Sequence, residues 1–317
     1  MTHNPPPDQS HQWAQTEERG SYWGMRFVVW LYRHGGHLLL HPVVWMVVAY
    51  FFVTRSSTRR YSRLYLQRAI GGRVNLWQLW LHHLAFARAL LDRIGAWMGR
   101  LRRSQVMFQG SREALMQRGS VILGSHLGNL EMCRALVEKE GALTLNVILH
   151  SANTEKFNRL LSEVSDQVNV RLIQVADISP LTAIRLRGML DNGESLILLA
   201  DRLPPGNEAR FFESEFLGDP ARFPAGPFWL ALMLGAPVYF MAGLRTPQGL
   251  WATLEPLYDG APVPRKDRDA VCRKLVAAYA EKLAQLCRAH PYQWFNFYDF
   301  WRDDDRREQD GQPTAVP

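Results

Sequence analysis

The sequence predicts an α/β fold, in which a mixed, mostly parallel sheet with helices on both faces follows an N-terminal helical segment associated with a membrane. Two features carry this prediction. From residue 104 onward, short apolar runs alternate with segments of helical length, whereas the first third concentrates arginine and tryptophan around a charge-free apolar run. Unalternating apolar strands separated by helices of about ten to fifteen residues are typical of a sheet that is covered on both sides.

The order of these segments is that of repeated strand-helix units. The predicted strands are 106–108, 121–124, 143–149, 170–175, 195–200, 237–245 and 250–257. The predicted helices are 111–118, 129–140, 154–167, 180–191, 228–234 and 267–290. A stretch rich in Pro and Gly, 203–227, is predicted to be a substrate-binding loop, because a loop of this length is rarely a plain connection.

The N-terminal third predicts contact with lipid. Residues 35–53 contain no charged side chain, and as a helix they would cover ~28 Å of a hydrocarbon core that is ~30 Å thick. We therefore expect a membrane-inserted anchor rather than a buried core helix. The arginines are denser after the run than before it, which places the body of the protein in the cytoplasm.

The segment that follows the anchor, 58–103, is predicted to be helical, with apolar residues recurring at three and four. Its opposite face carries Arg73, Arg88, Arg93 and Arg100. Such a helix packs on a core or lies along a bilayer, and the spacing permits both. The predicted organisation is a mobile tail at 1–22, a membrane-anchoring helical region at 23–103, a catalytic domain at 104–301 and a polar tail at 302–317.

The charge of the chain is unevenly distributed. The net charge is +7, yet residues 1–110 hold fourteen arginines, no lysine and only four acidic residues. Seven of the eleven tryptophans lie in the same third, and Trp with Arg is the pairing found at lipid headgroups. Without zinc-ligand spacing or a nucleic-acid-binding motif, we expect no nucleic-acid partner. Three cysteines without Cys-x2-Cys spacing predict no metal site, and we expect no cofactor.

One histidine stands where an apolar run gives way to helical spacing. Val121 to Leu123 predicts a strand and Leu130 opens a helical pattern, so His126 lies at the junction. Glu131 falls in the first turn of that predicted helix, from which its carboxylate can reach back to the imidazole. A carboxylate on one ring nitrogen leaves the other free to take a proton. The sequence therefore predicts His126 as a general base oriented by Glu131.

The spacing of this pair is not unique in the chain. It recurs at His3 with Asp8, in the Pro-rich tail, and at His150 with Glu155. His150 also ends an apolar run, so it remains an alternative, but glycines flank only His126, and glycine lets a backbone approach a ligand closely. The other interpretation of His126 is a structural histidine at a strand end.

Three segments carry a resemblance to a known family. Gly-Ser-His-Leu-Gly-Asn-Leu-Glu at 124–131 resembles the catalytic motif of the lysophospholipid acyltransferase superfamily, and more closely its lipid A late acyltransferase branch. Residues 216–227 are similar to the family's segment after its central sheet, and His-Pro-Tyr-Gln-Trp-Phe at 290–295 to its closing Pro-x-Gln-Trp signature. At 296–301 the chain departs from the family's Trp-x-x-Arg-Arg ending, which indicates a divergent subfamily.

The resemblance implies an activity, partners and a location. The expected reaction moves an acyl chain from an acyl carrier protein thioester to a hydroxyl of a membrane glycolipid, at the cytoplasmic face of a bacterial inner membrane. The partners are the carrier protein, the lipid acceptor and the bilayer surface. One alternative is a glycerophospholipid acyltransferase that uses coenzyme A, which Ala225 and Pro227 disfavour. Another is a non-catalytic protein on the same fold that binds lipid or the carrier.

Further residues are predicted to bind substrate. Asp201 and Arg202 follow the most apolar predicted strand, at the end where open α/β sheets bind ligands, and Arg222 lies in the long loop that follows. We also expect the backbone near Gly128 and Asn129, or one of these arginines, to stabilise the oxyanion of the reaction. The alternative for Asp201 and Arg202 is a local ion pair at a strand end.

Overall fold

The centre of the protein is a mixed β-sheet, seen in a computed structural model that describes residues 36–97, 106–110, 119–130, 145–149, 170–174, 180–203 and 210–301. The strands are β1 Val106–Gly110, β2 Val121–Gly124, β3 Leu145–Leu149, β4 Val170–Gln174, β5 Ser195–Leu199, β6 Phe211–Phe216, β7 Asp219–Pro224, β8 Val238–Thr246 and β9 Gly249–Tyr258. Seven of them form one sheet in the order β1-β9-β8-β2-β5-β3-β4, and β6 and β7 form a separate pair. The seven-stranded sheet follows the predicted strands closely.

The sheet is mostly parallel, as predicted. β2, β3, β4, β5 and β8 run in one direction, whereas β9 is antiparallel to β8 and parallel to β1. β2 lies between β5 and β8, and Val121, Ile122 and Leu123 are fully buried. Their unalternating apolar sequence is what a strand covered on both faces requires.

Two groups of buried side chains lie on the two faces of this sheet. Val121, Leu123, Leu196 and Leu198 join one large core cluster, while Ile122 belongs to the cluster on the other face. The large cluster also contains buried side chains from every described helix that follows residue 55. The core of the described chain therefore lies mainly between one face of the sheet and these helices.

The described helices are α1 Gly36–Thr54, α2 Ser56–Ile70, α3 Leu76–Trp97, α4 Pro180–Asp191, α5 Ala225–Leu234 and α6 Arg268–Ala289. α4 and α6 agree with the predicted helices. The segment predicted to be helical over 58–103 contains two helices in its described part, because Gly71 ends α2 in the left-handed conformation, with φ 76°. α3 then begins with a reciprocal cap between Asn75 and Gln78, each side chain accepting a hydrogen bond from the other backbone amide.

The sequence permits this helical segment to pack on a core or to lie along a bilayer, and in the structure it packs on the core. Leu79 and His82 on α3 are fully buried, as are Tyr65 and Leu66 on α2. Arg93, on the face opposite the apolar stripe, is half-buried, and its Nε is buried. α1 matches the apolar run, but within the described residues we find no helix with both the length and the apolar character needed to cross a bilayer.

The long loop predicted over 203–227 is largely a β-hairpin. β6 and β7 pair antiparallel around Leu217 and Gly218, which both have positive φ. Phe216 and Phe223 from the two strands are fully buried in the large core cluster. Helix α5 begins directly after β7, three residues earlier than predicted.

Several predictions lie outside the described residues. These are the helices at 111–118, 129–140 and 154–167, both predicted tails, and the side chains of Glu131 and His150.

Candidate active site

The sheet brings two predicted site residues together. β2 and β5 are parallel neighbours with Gly124 opposite Leu199, and the Ala200 amide donates to the Gly124 carbonyl over 3.1 Å. Both strands end at the same edge, so the residues just beyond them, His126 and Asp201, face each other. This is the edge at which open α/β sheets bind ligands.

His126 is held by the carboxylate of Asp201 at two points. Its backbone amide donates to Asp201 Oδ2 over 2.8 Å, and its ring Nδ1 donates to Oδ1 over 2.9 Å. The Asp201 side chain is fully buried, whereas 29% of the His126 side chain is exposed. The ring is therefore fixed through Nδ1, and its Nε2 is the nitrogen that can exchange a proton with a substrate.

The protonation of this pair follows from its surroundings. Burial alone would raise the pKa of Asp201, but the contacts with His126 and the charge of Arg202 outweigh burial and lower the pKa to about 2. Burial lowers the pKa of His126, Arg202 and Arg93 lower it further, and Asp201 opposes them. At neutral pH the pair consists of a carboxylate and a neutral imidazole, as a general base requires.

A tryptophan from the C-terminal part of the chain completes the support of Asp201. Trp294 is buried, and its Nε1 donates to Asp201 Oδ2 over 2.9 Å. The segment that carries Trp294 also pairs with the backbone around His126: the Phe295 amide donates to the His126 carbonyl over 3.0 Å, and Leu127 forms a β-bridge with Trp294. Arg202 donates to the Phe295 carbonyl over 2.7 Å.

Gly128 and Asn129 have a structural part in this arrangement. The Gly128 amide donates to the Gln293 carbonyl and the Asn129 amide to the Gly243 carbonyl, each over 2.7 Å. Gly128 has φ 67°, and a Cβ at this position would lie 1.9 Å from the Gly243 oxygen. Both amides therefore bind carbonyl groups in this structure. The predicted role of the backbone near Gly128 and Asn129 in stabilising the oxyanion stays a prediction, and an arginine is the other predicted donor.

Comparison with protein families matches residues 103–303 to the family described as bacterial lipid A biosynthesis acyltransferase. The chain belongs to this family. A comparison with curated proteins found no match. Family membership confirms the resemblance stated on the sequence, and it supports an enzyme that transfers an acyl group to a lipid acceptor. The matched region contains the His126 and Asp201 junction, Arg202 and Trp294.

The remaining predicted site residues of this acyltransferase are Arg202, Arg222 and Glu131. Arg202 lies beside His126, close enough to lower its pKa, and its guanidinium is 5.5 Å from the centre of the Tyr298 ring. Arg222 is on β7, where it forms an ion pair with Glu213 at 3.5 Å and lies over the Phe211 ring. Glu131, the predicted partner of His126, lies outside the described residues.

Sequence reasoning missed two residues that support this site. Trp294 entered the prediction only as part of the family signature at 290–295, and His82 was not singled out. His82 is fully buried; Ser62 donates to its Nδ1 over 2.7 Å, and its Nε2 donates to the Trp294 carbonyl over 2.9 Å. A histidine amid apolar spacing was the available signal, since a buried imidazole requires partners for both nitrogens.

Proposed function

We propose that this acyltransferase moves a fatty acyl chain from an acyl carrier protein thioester to a hydroxyl group of a membrane glycolipid, with His126 as the general base. The observation that carries the proposal is the pair of hydrogen bonds from His126 to Asp201. They use Nδ1 and the backbone amide, which leaves Nε2 on a partly exposed ring. Asp201 is thus the described carboxylate that supports an orienting role, while Glu131 remains a candidate for the same role.

The proposed reaction is direct acyl transfer. His126 Nε2 takes the proton of the acceptor hydroxyl as the hydroxyl oxygen attacks the thioester carbonyl. The resulting tetrahedral intermediate collapses, the carbon–sulfur bond breaks, and the imidazolium returns the proton to the departing thiolate. Asp201 stabilises the imidazolium that forms between the two proton transfers, because the carboxylate stays ionised beside it.

Arg202 is the proposed donor to the oxyanion of the intermediate. It follows Asp201 directly, its charge acts on His126, and its hydrogen bond to the Phe295 carbonyl fixes the guanidinium. A guanidinium carries five N–H donors, so the bond to Phe295 leaves others for a substrate oxygen. A preorganised donor of this kind stabilises charge only as it develops.

The proposed acceptor lies in a membrane, and the N-terminal helices supply a surface that suits one. Large apolar side chains are exposed on α1 and α3, among them Met46, Tyr50, Val53, Leu76 and Trp77. The arginines of α2 follow α1 in the chain. Exposed apolar and aromatic side chains beside arginines favour contact with a headgroup region. We therefore propose that the protein acts at the cytoplasmic face of the bacterial inner membrane.

The proposal is tested by replacing the base. His126→Ala should lower turnover by ~10²–10⁴-fold, the usual share of a general base, while the protein stays folded. His150→Ala is the matched control, because His150 also precedes a glutamate by five positions, and it should leave the rate within a few-fold. A near-normal rate for His126→Ala, or a reversed pair of results, would contradict the proposal.

The acyl donor is tested separately. Initial rates should be compared for the same acyl chain on acyl carrier protein and on coenzyme A. We expect the carrier protein to be preferred and the preference to fall as salt is added, since the carrier is acidic and this chain has a net charge of +7. A higher rate with coenzyme A at every salt concentration would favour the glycerophospholipid-type alternative.

A further inference from the structure

One face of α3 lies along the C-terminal segment that touches His126. His82 donates to the Trp294 carbonyl, and Phe86, one turn later, has its ring centre 5.3 Å from that of Phe295. The amide of Phe295 in turn donates to the His126 carbonyl. Residues at intervals of four and seven share a helix face, so the residues that follow Phe86 at these intervals lie on the same face of α3 as these two contacts.

Arg93 is the next polar residue on this face, seven positions after Phe86. Its neighbour Asp92 holds the end of the helix through a two-point ion pair with Arg245 on β8, at 2.7 and 3.2 Å. Arg93 Nε is buried, and it has no hydrogen-bond partner among the residues that the structure describes. The residue as a whole is half-buried, and a buried donor atom without a partner is costly, so a ligand that supplies an acceptor would stabilise this contact.

The charges around His126 indicate the sign of that ligand. Arg202 and Arg93 both act on the imidazole and lower its pKa, Asp201 is the opposing carboxylate, and burial is the largest influence. Among the described groups, two cations thus face one anion and a neutral ring. The imidazolium that the reaction requires forms against both arginines, so an anion bound near them would make His126 a stronger base.

We propose that Arg93 is a substrate-binding residue and that, with Arg202, it binds a phosphate group of the acyl donor or of the lipid acceptor beside His126. The inference rests on the proposed acyl transfer. Phosphate fits because the guanidinium fork offers paired donors to its oxygens and because its charge offsets both cations. Bound phosphate then couples substrate binding to proton transfer, since His126 gains basicity only when the site is occupied.

A binding experiment without turnover tests the site. The titration of His126 is followed by NMR of histidine-labelled full-length protein, with the signal assigned by its loss in His126→Gln, with and without inorganic phosphate. Phosphate should raise the pKa of His126 in the wild type and leave it unshifted in Arg93→Gln. Arg88→Gln is the matched control on the same helix, since Arg88 is exposed, and it should respond like the wild type.

Steady-state kinetics then identify which substrate carries the phosphate. Acyl-phosphopantetheine is compared with acyl-pantetheine as donor, and a phosphorylated acceptor with its dephosphorylated form. Arg93→Gln should raise KM roughly 10- to 100-fold for the substrate whose phosphate it binds, the range of a charged hydrogen bond. The same variant should have little effect on that substrate without its phosphate, and Arg93→Lys should restore part of the loss.

The outcomes separate the two proposals. A phosphate effect on His126 in the wild type that is lost in Arg93→Gln supports the site even if no acyl donor is turned over, in which case only the proposed function fails. An equal phosphate effect in wild type and Arg93→Gln overturns the site. It is also overturned if Arg93→Gln, with an unchanged melting temperature, slows phosphorylated and dephosphorylated substrates equally.

Discussion

The buried carboxylate of Asp201 accepts hydrogen bonds from three donor groups. Its two oxygens accept hydrogen bonds from the His126 amide, the His126 ring and the Trp294 indole. Every one of these bonds is donated to a charged acceptor, and such bonds are stronger than neutral ones. The position of the imidazole is therefore determined by a residue 75 positions away, just beyond the end of the neighbouring strand β5.

The first prediction at the residue scale separates the two candidate carboxylates. Asp201→Asn should lower turnover by ~10²–10⁴-fold, because an amide cannot accept from His126 at both points and stabilises the imidazolium poorly. Initial rates of Asp201→Asn and Glu131→Gln are compared at equal folded fractions. Asp191→Asn is the control, since Asp191 is exposed and its described ion pair is with Arg187, one turn earlier on α4. A loss confined to Glu131→Gln would assign orientation of His126 to Glu131.

The second prediction concerns the close approach of the loop at Gly128 to strand β8 at Gly243. Gly128→Ala should destabilise the protein by several kcal/mol and abolish activity, because the added Cβ would meet the Gly243 oxygen and the backbone has positive φ. Thermal and denaturant unfolding measure the effect. Gly188→Ala, in α4, meets no atom within 4 Å and should be neutral or stabilising by up to ~1 kcal/mol. Equal stability of both variants would contradict this account of Gly128.

Sequence reasoning at this scale identified His126, Asp201 and Arg202 but not their contacts. Each residue was visible because a polar side chain follows an apolar strand. The pairing of His126 with Asp201 depends on β2 lying next to β5, and no local pattern encodes the order of strands in a sheet. Glu131 was the predicted partner because proximity along the chain was the only distance available, and this stays a prediction since Glu131 lies outside the described residues.

The hairpin of β6 and β7 occupies a segment that was predicted to be a long loop, and the residues of β7 explain why. β7 contains Pro220 and Pro224, and proline weakens the signal of a strand because it cannot donate to the ladder. The turn places Leu217 at φ 56° instead of the usual Asn or Gly. Leu217 is 6% exposed, so burial of its side chain compensates for an unfavourable backbone, and this tertiary effect has no local signature.

α3 connects the N-terminal helices to the segment that carries Trp294. Its buried residue His82 predicts that the stability of the protein depends on pH. Burial lowers the pKa of His82 from 6.5 to about 3. Below pH 6.5 the unfolded chain therefore binds a proton that the folded protein resists, and stability falls as the pH drops towards 3. Between pH 7 and pH 5 this group alone should reduce the free energy of unfolding by about 2 kcal/mol.

The pH effect is measured by urea unfolding of wild type and His82→Gln at pH 7 and pH 5. Glutamine can accept from Ser62 and donate to the Trp294 carbonyl without titrating in this range, so the variant should lose most of the pH dependence attributed to His82. His290→Gln is the comparison variant. His290 is less buried than His82, and burial is the cause that lowers its pKa. An unchanged pH dependence in His82→Gln would show that His82 does not stay neutral in the folded protein.

At the scale of the whole molecule, the N-terminal helices and the sheet share one core. Tyr65, Leu66 and Leu79 are fully buried in the cluster that also holds Val121 and Trp294. The family match begins at residue 103, so the matched segment omits side chains on which its own core depends. Losing a buried large apolar side chain costs ~2–5 kcal/mol, and several such losses exceed the ~5–15 kcal/mol stability of a typical domain.

Truncation tests this dependence. A chain that starts at residue 103 should fail to fold and should have no activity, whereas one that starts at residue 36 retains every described helix and should keep the wild-type melting temperature. Circular dichroism and thermal melts provide the comparison. A cut at residue 60 would fall within α2. Cooperative unfolding and activity of the shorter chain would show that the sheet and its remaining helices form an independent domain.

The contact between Trp294 and Asp201 also affects when the site can form during translation of the chain. β2 leaves the ribosome early, but its neighbours β5 and β8 follow only after residue 194, and the indole that fixes Asp201 is made still later. Pairing between such distant segments is slow, because a long loop must close before the contacts form. In a nascent chain stalled before residue 294, His126 would lack the indole that holds its carboxylate partner, so the contacts around Asp201 are complete only after Trp294 has been synthesised.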